Sequence, residues 1–386
     1  MGRLFIEDTT LASIGTAIRE KTGKSELINP VDMPDEIRNI SGGGGEVFNE
    51  ISYNQEAYQA YDATPFVYNY FNNFIDGKSF TINTLKSLGV MFYKSDELVD
   101  LSKIVINFTG NSMRYVNEMF FGCNKLEQLP TLNIVNEVKK GVYYLYSIFG
   151  SCHRLRYIDE NLWQNIISLI DKDTSYSYRI SGFFSYCYSL RQLPDLSIFN
   201  EIKNSNTNQY RYLLYQLIHK CYVLDTAENI PLENSTITKD MLSQTFNDCC
   251  RVKDIIFATD NGTPYVRTWS NQTIDLSSNI GYAYSTDYIL GYNSGITADK
   301  QVSDDATYQA LKDDPDWFSI DVAYSRYNHT SAVRTINSLP DCSTGSGNTI
   351  KFLGASGSAT DGGAISNLTE AEIAVATAKG WTVEIV

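Results

Sequence analysis

The stretch Val116-Asn117-Glu118-Met119-Phe120-Phe121-Gly122-Cys123-Asn124-Lys125-Leu126-Glu127-Gln128-Leu129-Pro130 organises the chain. With Cys123 as origin, apolar residues stand at offsets −7, −4, −3, 0, +3 and +6: Val116, Met119, Phe120, Cys123, Leu126 and Leu129. The same offsets give Leu145, Ile148, Phe149, Cys152, Leu155 and Ile158. Further copies are Ile180, Phe183, Phe184, Cys187, Leu190 and Leu193, then Leu214, Leu217, Ile218, Cys221, Leu224 and Ala227. A fifth is Leu242, Thr245, Phe246, Cys249, Val252 and Ile255. An earlier one has serine at the origin: Leu88, Met91, Phe92, Ser95, Leu98 and Leu101.

Offsets −7, −4, −3 and 0 are helical spacing and predict a short helix with one apolar stripe. Beyond the origin the step becomes a steady three, and Leu-Pro closes two copies, at Leu129-Pro130 and Leu193-Pro194. Proline ends a helix and favours extended chain, so each copy reads as helix, tight turn and short strand. A unit of that size cannot bury its apolar face alone, so neighbouring copies must stack. The origins are separated by 28, 29, 35, 34 and 28 residues. A fixed core with loops of varying length predicts an α/β solenoid. Its core column is Phe92, Phe120, Cys123, Phe149, Cys152, Phe184, Cys187, Cys221, Phe246 and Cys249.

The 386 residues exceed what one compact core usually holds, and 43% hydrophobic against 20% charged residues describes folded chain. A formal charge of −14 repels phosphates and anionic lipid, and no basic patch offsets it, so neither nucleic acid nor membrane insertion is expected. The start "MGRLFIEDTT" carries no secretory pattern, and no stretch reaches the ~20 apolar residues of a membrane span. Five of the seven cysteines belong to the repeat and read as small buried thiols made in a reducing cytoplasm. The only adjacent pair is Cys249-Cys250, and His153, His219 and His329 fall in different units. No metal and no cofactor are therefore expected.

Residues 1–41 read as a small helical hairpin, with Leu11, Ile14 and Ile18 on one helical face and Met33, Ile37 and Ile40 on another. Two such helices are too small to be stable alone, so attachment or oligomerisation is expected of them. Residues 42–46 are a glycine-rich linker. The repeat domain is assigned to 47–258, its first part capping the stack. A hairpin around Asp260-Asn261-Gly262 and a long irregular insertion, with a helix near "DATYQALKDD", occupy 259–320. A C-terminal helix–strand repeat and cap fills 321–386. There "HTSAVRTINSLPD" is helical, "NTIKFLG" is a strand, Thr369 to Glu372 is a capping box, and Trp381 to Ile385 closes as a strand.

The segments "MFFGCNKLEQLPTLNI" and "FFSYCYSLRQLPDLSIFN" resemble the BspA-type branch of leucine-rich repeats, found in bacterial surface proteins and in phage and prophage proteins. "SIGTAIREKTG…PVDMPDEIRNI" resembles an N-terminal segment of tail and baseplate proteins of phages infecting Firmicutes, and "NLTEAEIAVATAKGWTV" resembles the C-terminal unit of tail-associated repeat proteins. These resemblances imply a virion protein made in the host cytoplasm, as a tail fibre or baseplate component. They imply attachment to other tail or baseplate proteins through residues 1–41 and a homo-oligomer, a trimer foremost. The partner on the host is then a surface glycan or protein. A BspA-like bacterial adhesion protein and a virion-associated glycan-degrading enzyme are the alternatives.

No nucleophile elbow, zinc-hydrolase motif, P-loop or dinucleotide fingerprint is present, so no catalytic residue is assigned. The carboxylate pairs Asp159-Glu160 and Asp313-Asp314 read as solvated loop charge. The 27 tyrosines are more informative. Tyr143, Tyr146, Tyr176, Tyr178, Tyr210, Tyr212 and Tyr215 fall off the template, either as an exposed recognition surface or as an aromatic ladder between copies. The two longest steps carry "DKDTSYSYR" and "NEIKNSNTNQYRY", making Tyr176, Tyr178, Tyr210 and Tyr212 the candidate host contacts.

Overall fold

The computed structural model describes residues 50–53, 75–85, 87–95, 97–113, 115–136, 144–170, 181–201, 215–221, 224–232, 242, 244–246, 249, 252–277, 288–291, 300–301, 317–320, 327–354 and 364–386. The helical hairpin assigned to 1–41 and the linker 42–46 lie outside them, as does the helix expected near "DATYQALKDD".

Four strands open the described fold: β1 (Glu50–Tyr53), β2 (Phe80–Thr84), β3 (Ile104–Phe108) and β4 (Thr131–Ile134). They form one parallel sheet in sequence order, with Ile82 opposite Ile106 and Ile106 opposite Leu132. Those three side chains point into the core and are fully buried. At the next strand position the chain forms α1 (Glu160–Ser168) instead. Asp159 caps it, accepting from the Leu162 N–H at 2.8 Å, and Glu160 sits in the first turn where the helix dipole favours an acid. The carboxylate pair expected to be solvated loop charge thus starts a helix. Trp163 anchors that helix, buried, its Nε1–H donating to the Asp195 carbonyl at 2.6 Å. Asn165 donates to the Leu132 carbonyl at 2.8 Å, closing the edge of β4.

Parallel pairing returns with β5 (Thr226–Ile230) and β6 (Asp254–Phe257). The hairpin β7 (Thr259–Asp260) and β8 (Thr263–Pro264) turns through Asn261 (φ +48°) and Gly262 (φ +83°). Two successive left-handed residues are what an Asn-Gly hairpin turn needs. Next, β9 (Thr273–Leu276) pairs in parallel with a strand far along the chain, β13 (Asn348–Phe352). Residues assigned to the irregular insertion therefore belong in part to the C-terminal unit, a pairing that local pattern does not reveal. The rest of that insertion is not wholly irregular either. It contains β10 (Tyr288–Gly291), β11 (Lys300–Gln301) and β12 (Trp317–Ile320), an antiparallel sheet in the order β11-β10-β12.

The C-terminal unit runs α2 (His329–Ser338), β13, α3 (Glu370–Ala378) and β14 (Trp381–Ile385). Its parallel sheet has the order β14-β13-β9. The Thr369–Glu372 capping box is present in full. Gly380, at φ +80°, lets the chain pass the Cys342 carbonyl, which an added Cβ would meet at 2.5 Å. Contacts also join this unit to the stack, since Thr335 Oγ1 donates to the Ile255 carbonyl of β6 at 2.7 Å.

The template stretch itself is the main correction. Residues −7 to 0 do not form the expected helix in any copy where they are described; they form consecutive tight turns. In the Ser95 copy, the Phe92 N–H donates to Met119 O at 2.8 Å and the Lys94 N–H to Phe121 O at 2.6 Å, both in the next copy. The intervening Tyr93 and Ser95 N–H groups donate within the copy, to Val90 O and Phe92 O. The Cys123 copy repeats this towards Ile148 and Gly150, and the Cys152 copy towards Phe183 and Ser185. Alternate amides thus stitch copy to copy, which an α-helix cannot do because it spends them internally. Left-handed residues recur four apart and break any helix: Val90 and Lys94, Glu118 and Gly122, Ser147 and Ser151, Gly182 and Tyr186, Gln216 and Lys220.

Candidate binding surface

The inward columns of the turn ladder hold a continuous aromatic and thiol core. Phe92, Phe120, Phe149 and Phe184 stack face to face, with centroids 5.3, 5.5 and 5.9 Å apart. All four are fully buried, as are Phe246, Cys123, Cys152, Cys187, Cys221 and Cys249. Each thiol donates to a backbone carbonyl of the preceding copy. Cys123 reaches Phe92 O at 2.9 Å, Cys152 Phe120 O at 3.1 Å, and Cys187 Phe149 O at 3.0 Å. Cys221 reaches Phe184 O and Cys249 Ile218 O, both at 3.1 Å. Burial pushes the Cys187 thiol up to about 12. A thiol held protonated in an apolar column is no nucleophile and no metal ligand. The adjacent Cys250 lies outside the described residues.

The other offsets carry different chemistry, part of it buried. Tyr115 and Tyr144, in neighbouring copies, stack at 4.9 Å and 7°. Tyr146 meets Tyr144 edge-on, and its hydroxyl lies 3.3 Å from Asn117 Nδ2, which also donates to Glu118 at 3.2 Å. Burial pushes the Glu118 carboxyl up, partly opposed by hydrogen bonds from Asn117 and Tyr146 and by the Lys94 charge. Further along, Tyr186 packs edge-on to His219 at 5.1 Å, with the Lys220 ammonium 5.6 Å from its ring centroid. His153 lies flat on Tyr188 at 4.3 Å, and burial drops its pKa to about 3. Burial likewise drops His219, to about 4.

Among the tyrosines singled out from sequence, Tyr176, Tyr178, Tyr210 and Tyr212 lie outside the described residues, as does Tyr143. Tyr146 is half-buried within the cluster just described, and Tyr215 is exposed. Tyr115 and Tyr144, neither of them among those tyrosines, stack between neighbouring copies.

A second surface was not read from sequence at all. On the outer face of the first sheet, Asn83, Asn107 and Asn133 stand in one register column. Asn107 Nδ2 donates to Asn83 Oδ1 at 3.2 Å, Asn133 Nδ2 donates to Asn107 Oδ1 at 3.1 Å, and Asn83 donates to the Glu50 carboxylate. The available signal was the period-two triplets Ile82-Asn83-Thr84, Ile106-Asn107-Phe108 and Leu132-Asn133-Ile134. Their positions drift relative to the cysteine origins, and the template missed them.

Among the described residues, no group of three or more His, Cys, Asp or Glu side chains is placed to hold a metal ion, and no helix is long and apolar enough to cross a membrane. No family model, curated protein or solved structure matches the chain.

Proposed function

We propose that this chain is a non-enzymatic component of a phage or prophage virion, a tail-fibre or baseplate-attached protein. In this reading its copies form a leucine-rich-repeat solenoid, and residues 1–41 join other tail proteins and sister chains. The surface of the stack meets a glycan or protein on the host. The supporting observation is the contrast between the two sides of the turn ladder. Inward columns are uniform, buried and stitched copy to copy, while positions that reach solvent vary between tyrosine, glutamine and lysine. Packing that is fixed on one side leaves the other free for recognition. The two segments of greatest length variation, rich in Tyr, Ser and Asn, precede Ser181 and Tyr215 in the sequence. The virion assignment rests on the resemblance of both chain ends to tail proteins.

The test is adsorption of the purified protein to host cells. Replacing Tyr176, Tyr178, Tyr210 and Tyr212 together by alanine is expected to weaken adsorption while leaving the thermal midpoint nearly unchanged, since surface changes usually cost within about 0.5 kcal/mol each. Unaltered adsorption, or an unfolded variant, refutes these tyrosines as the contact. A wild-type protein that binds no host cell refutes the binding reading itself.

A further inference from the structure

We infer that the outer face of the β1–β4 sheet is a subsite for a neutral glycan lying across the strands along the asparagine column; this rests on the binding reading above and gives it a ligand class. Register places two columns side by side: Thr81, Val105 and Thr131, then Asn83, Asn107 and Asn133. Leu85, Thr109 and Val135 follow just past the strand ends, where the Thr109 N–H donates to Thr84 O and the Val135 N–H to Phe108 O. The face is open to solvent: Thr131, Asn133, Leu85 and Val135 are exposed, the last two at 49% and 56%, and the other five are half-buried.

The chemistry selects the occupant. A carboxamide has two N–H donors and an oxygen with two lone pairs. The ladder uses one donor of Asn107 and one lone pair of its oxygen, and a second donor and a second lone pair remain on the half-buried amide. An array that both donates and accepts at every strand, about 4.8 Å apart, complements a chain of hydroxyl groups that also do both. Leu85, Val105 and Val135 beside it offer apolar contact to the C–H faces of sugar rings. None of the nine residues is charged, and the Glu50 carboxylate accepts from Asn83. With the chain at −14, an anionic polymer is repelled rather than drawn in. The amides are oriented before binding by their own hydrogen bonds, so little side-chain freedom is lost on contact.

The experiment measures binding of the full chain to immobilised dextran, galactomannan and an N-acetylglucosamine oligomer, with poly(glycerol phosphate) as the anionic comparator. Two single variants are used: Asn133→Ala, which removes the exposed end of the ladder, and Thr131→Lys, which blocks the face without touching the core. At least one neutral glycan is expected to bind, with each variant reducing affinity about tenfold, the effect of losing one good contact. Circular dichroism and the thermal midpoint confirm that both variants fold. Binding of no neutral glycan, a preference for poly(glycerol phosphate), or unchanged affinity in both folded variants overturns the inference. If host cells adsorb the wild type and both variants equally, the binding reading stands while this face is excluded. If cells adsorb none, that reading fails, and the glycan measurements still decide the face.

Discussion

Replacing Cys187 tests the thiol ladder most directly. Its Sγ is fully buried and donates to the Phe149 carbonyl at 3.0 Å. That carbonyl also accepts the Cys152 N–H at 3.1 Å, so removing the thiol does not orphan it. Alanine therefore loses the burial of one sulfur, about 1 kcal/mol by analogy with a methylene. It also loses one weak hydrogen bond, about 0.5 kcal/mol. A small residual cavity brings the expected cost to about 1–2 kcal/mol. Serine keeps a donor in reach of the same carbonyl, and the first copy already buries Ser95 at this position. Cys187→Ser is thus expected to cost about 1 kcal/mol or less, no more than alanine. The assay is guanidinium unfolding followed by circular dichroism and tryptophan fluorescence together, since coincident transitions license the free-energy comparison. Serine costing clearly more than alanine refutes the hydrogen-bond reasoning. An alanine variant losing more than about 3 kcal/mol refutes the claim that the carbonyl keeps a partner. Native-state labelling with a thiol reagent gives an independent check: Cys123, Cys152, Cys187, Cys221 and Cys249 are expected to react only as fast as the protein opens.

The buried histidines predict acid sensitivity. Unfolded histidine takes a proton below its ordinary value of 6.5, whereas folded His153 resists until about 3, so its contribution is intact above pH 6.5 and drains away as pH falls. The unfolding free energy from urea titration is expected to drop between pH 7 and pH 5 by about 2 kcal/mol for this residue, and His153→Phe, which keeps a ring on Tyr188, is expected to remove that share; a wild-type stability indifferent to pH sinks the argument. Two glycines separate backbone strain from steric conflict. Gly77→Ala (φ +63°, open space) is expected to cost about 1 kcal/mol. Gly380→Ala, whose Cβ meets the Cys342 carbonyl, is expected to cost at least twice that. Equal losses of thermal midpoint refute the close approach.

The apolar template alone located the core. Offsets of three and four select residues on one side of the chain, and Val116, Met119, Phe120, Cys123, Leu126 and Leu129 are all buried. The capping box at Thr369, the Asn-Gly hairpin and the closing strand were legible for the same reason: each is decided by neighbours within a few residues. What the template could not settle was helix against stacked turns, because both present offsets −7, −4, −3 and 0 to one side. The deciding quantity is where the backbone amides go. Phe92 N–H to Met119 O and Phe120 N–H to Ile148 O each cross a whole copy. The same distance in sequence hid the reason for cysteine, a donor to a carbonyl one copy back, and the pairing of β9 with β13. It hid the asparagine column too, since a register between strands exists only once the copies have stacked. Local pattern determined which side chains are buried; the bonds between copies, made over some thirty residues of chain, decided the backbone that buries them and the surface left outside.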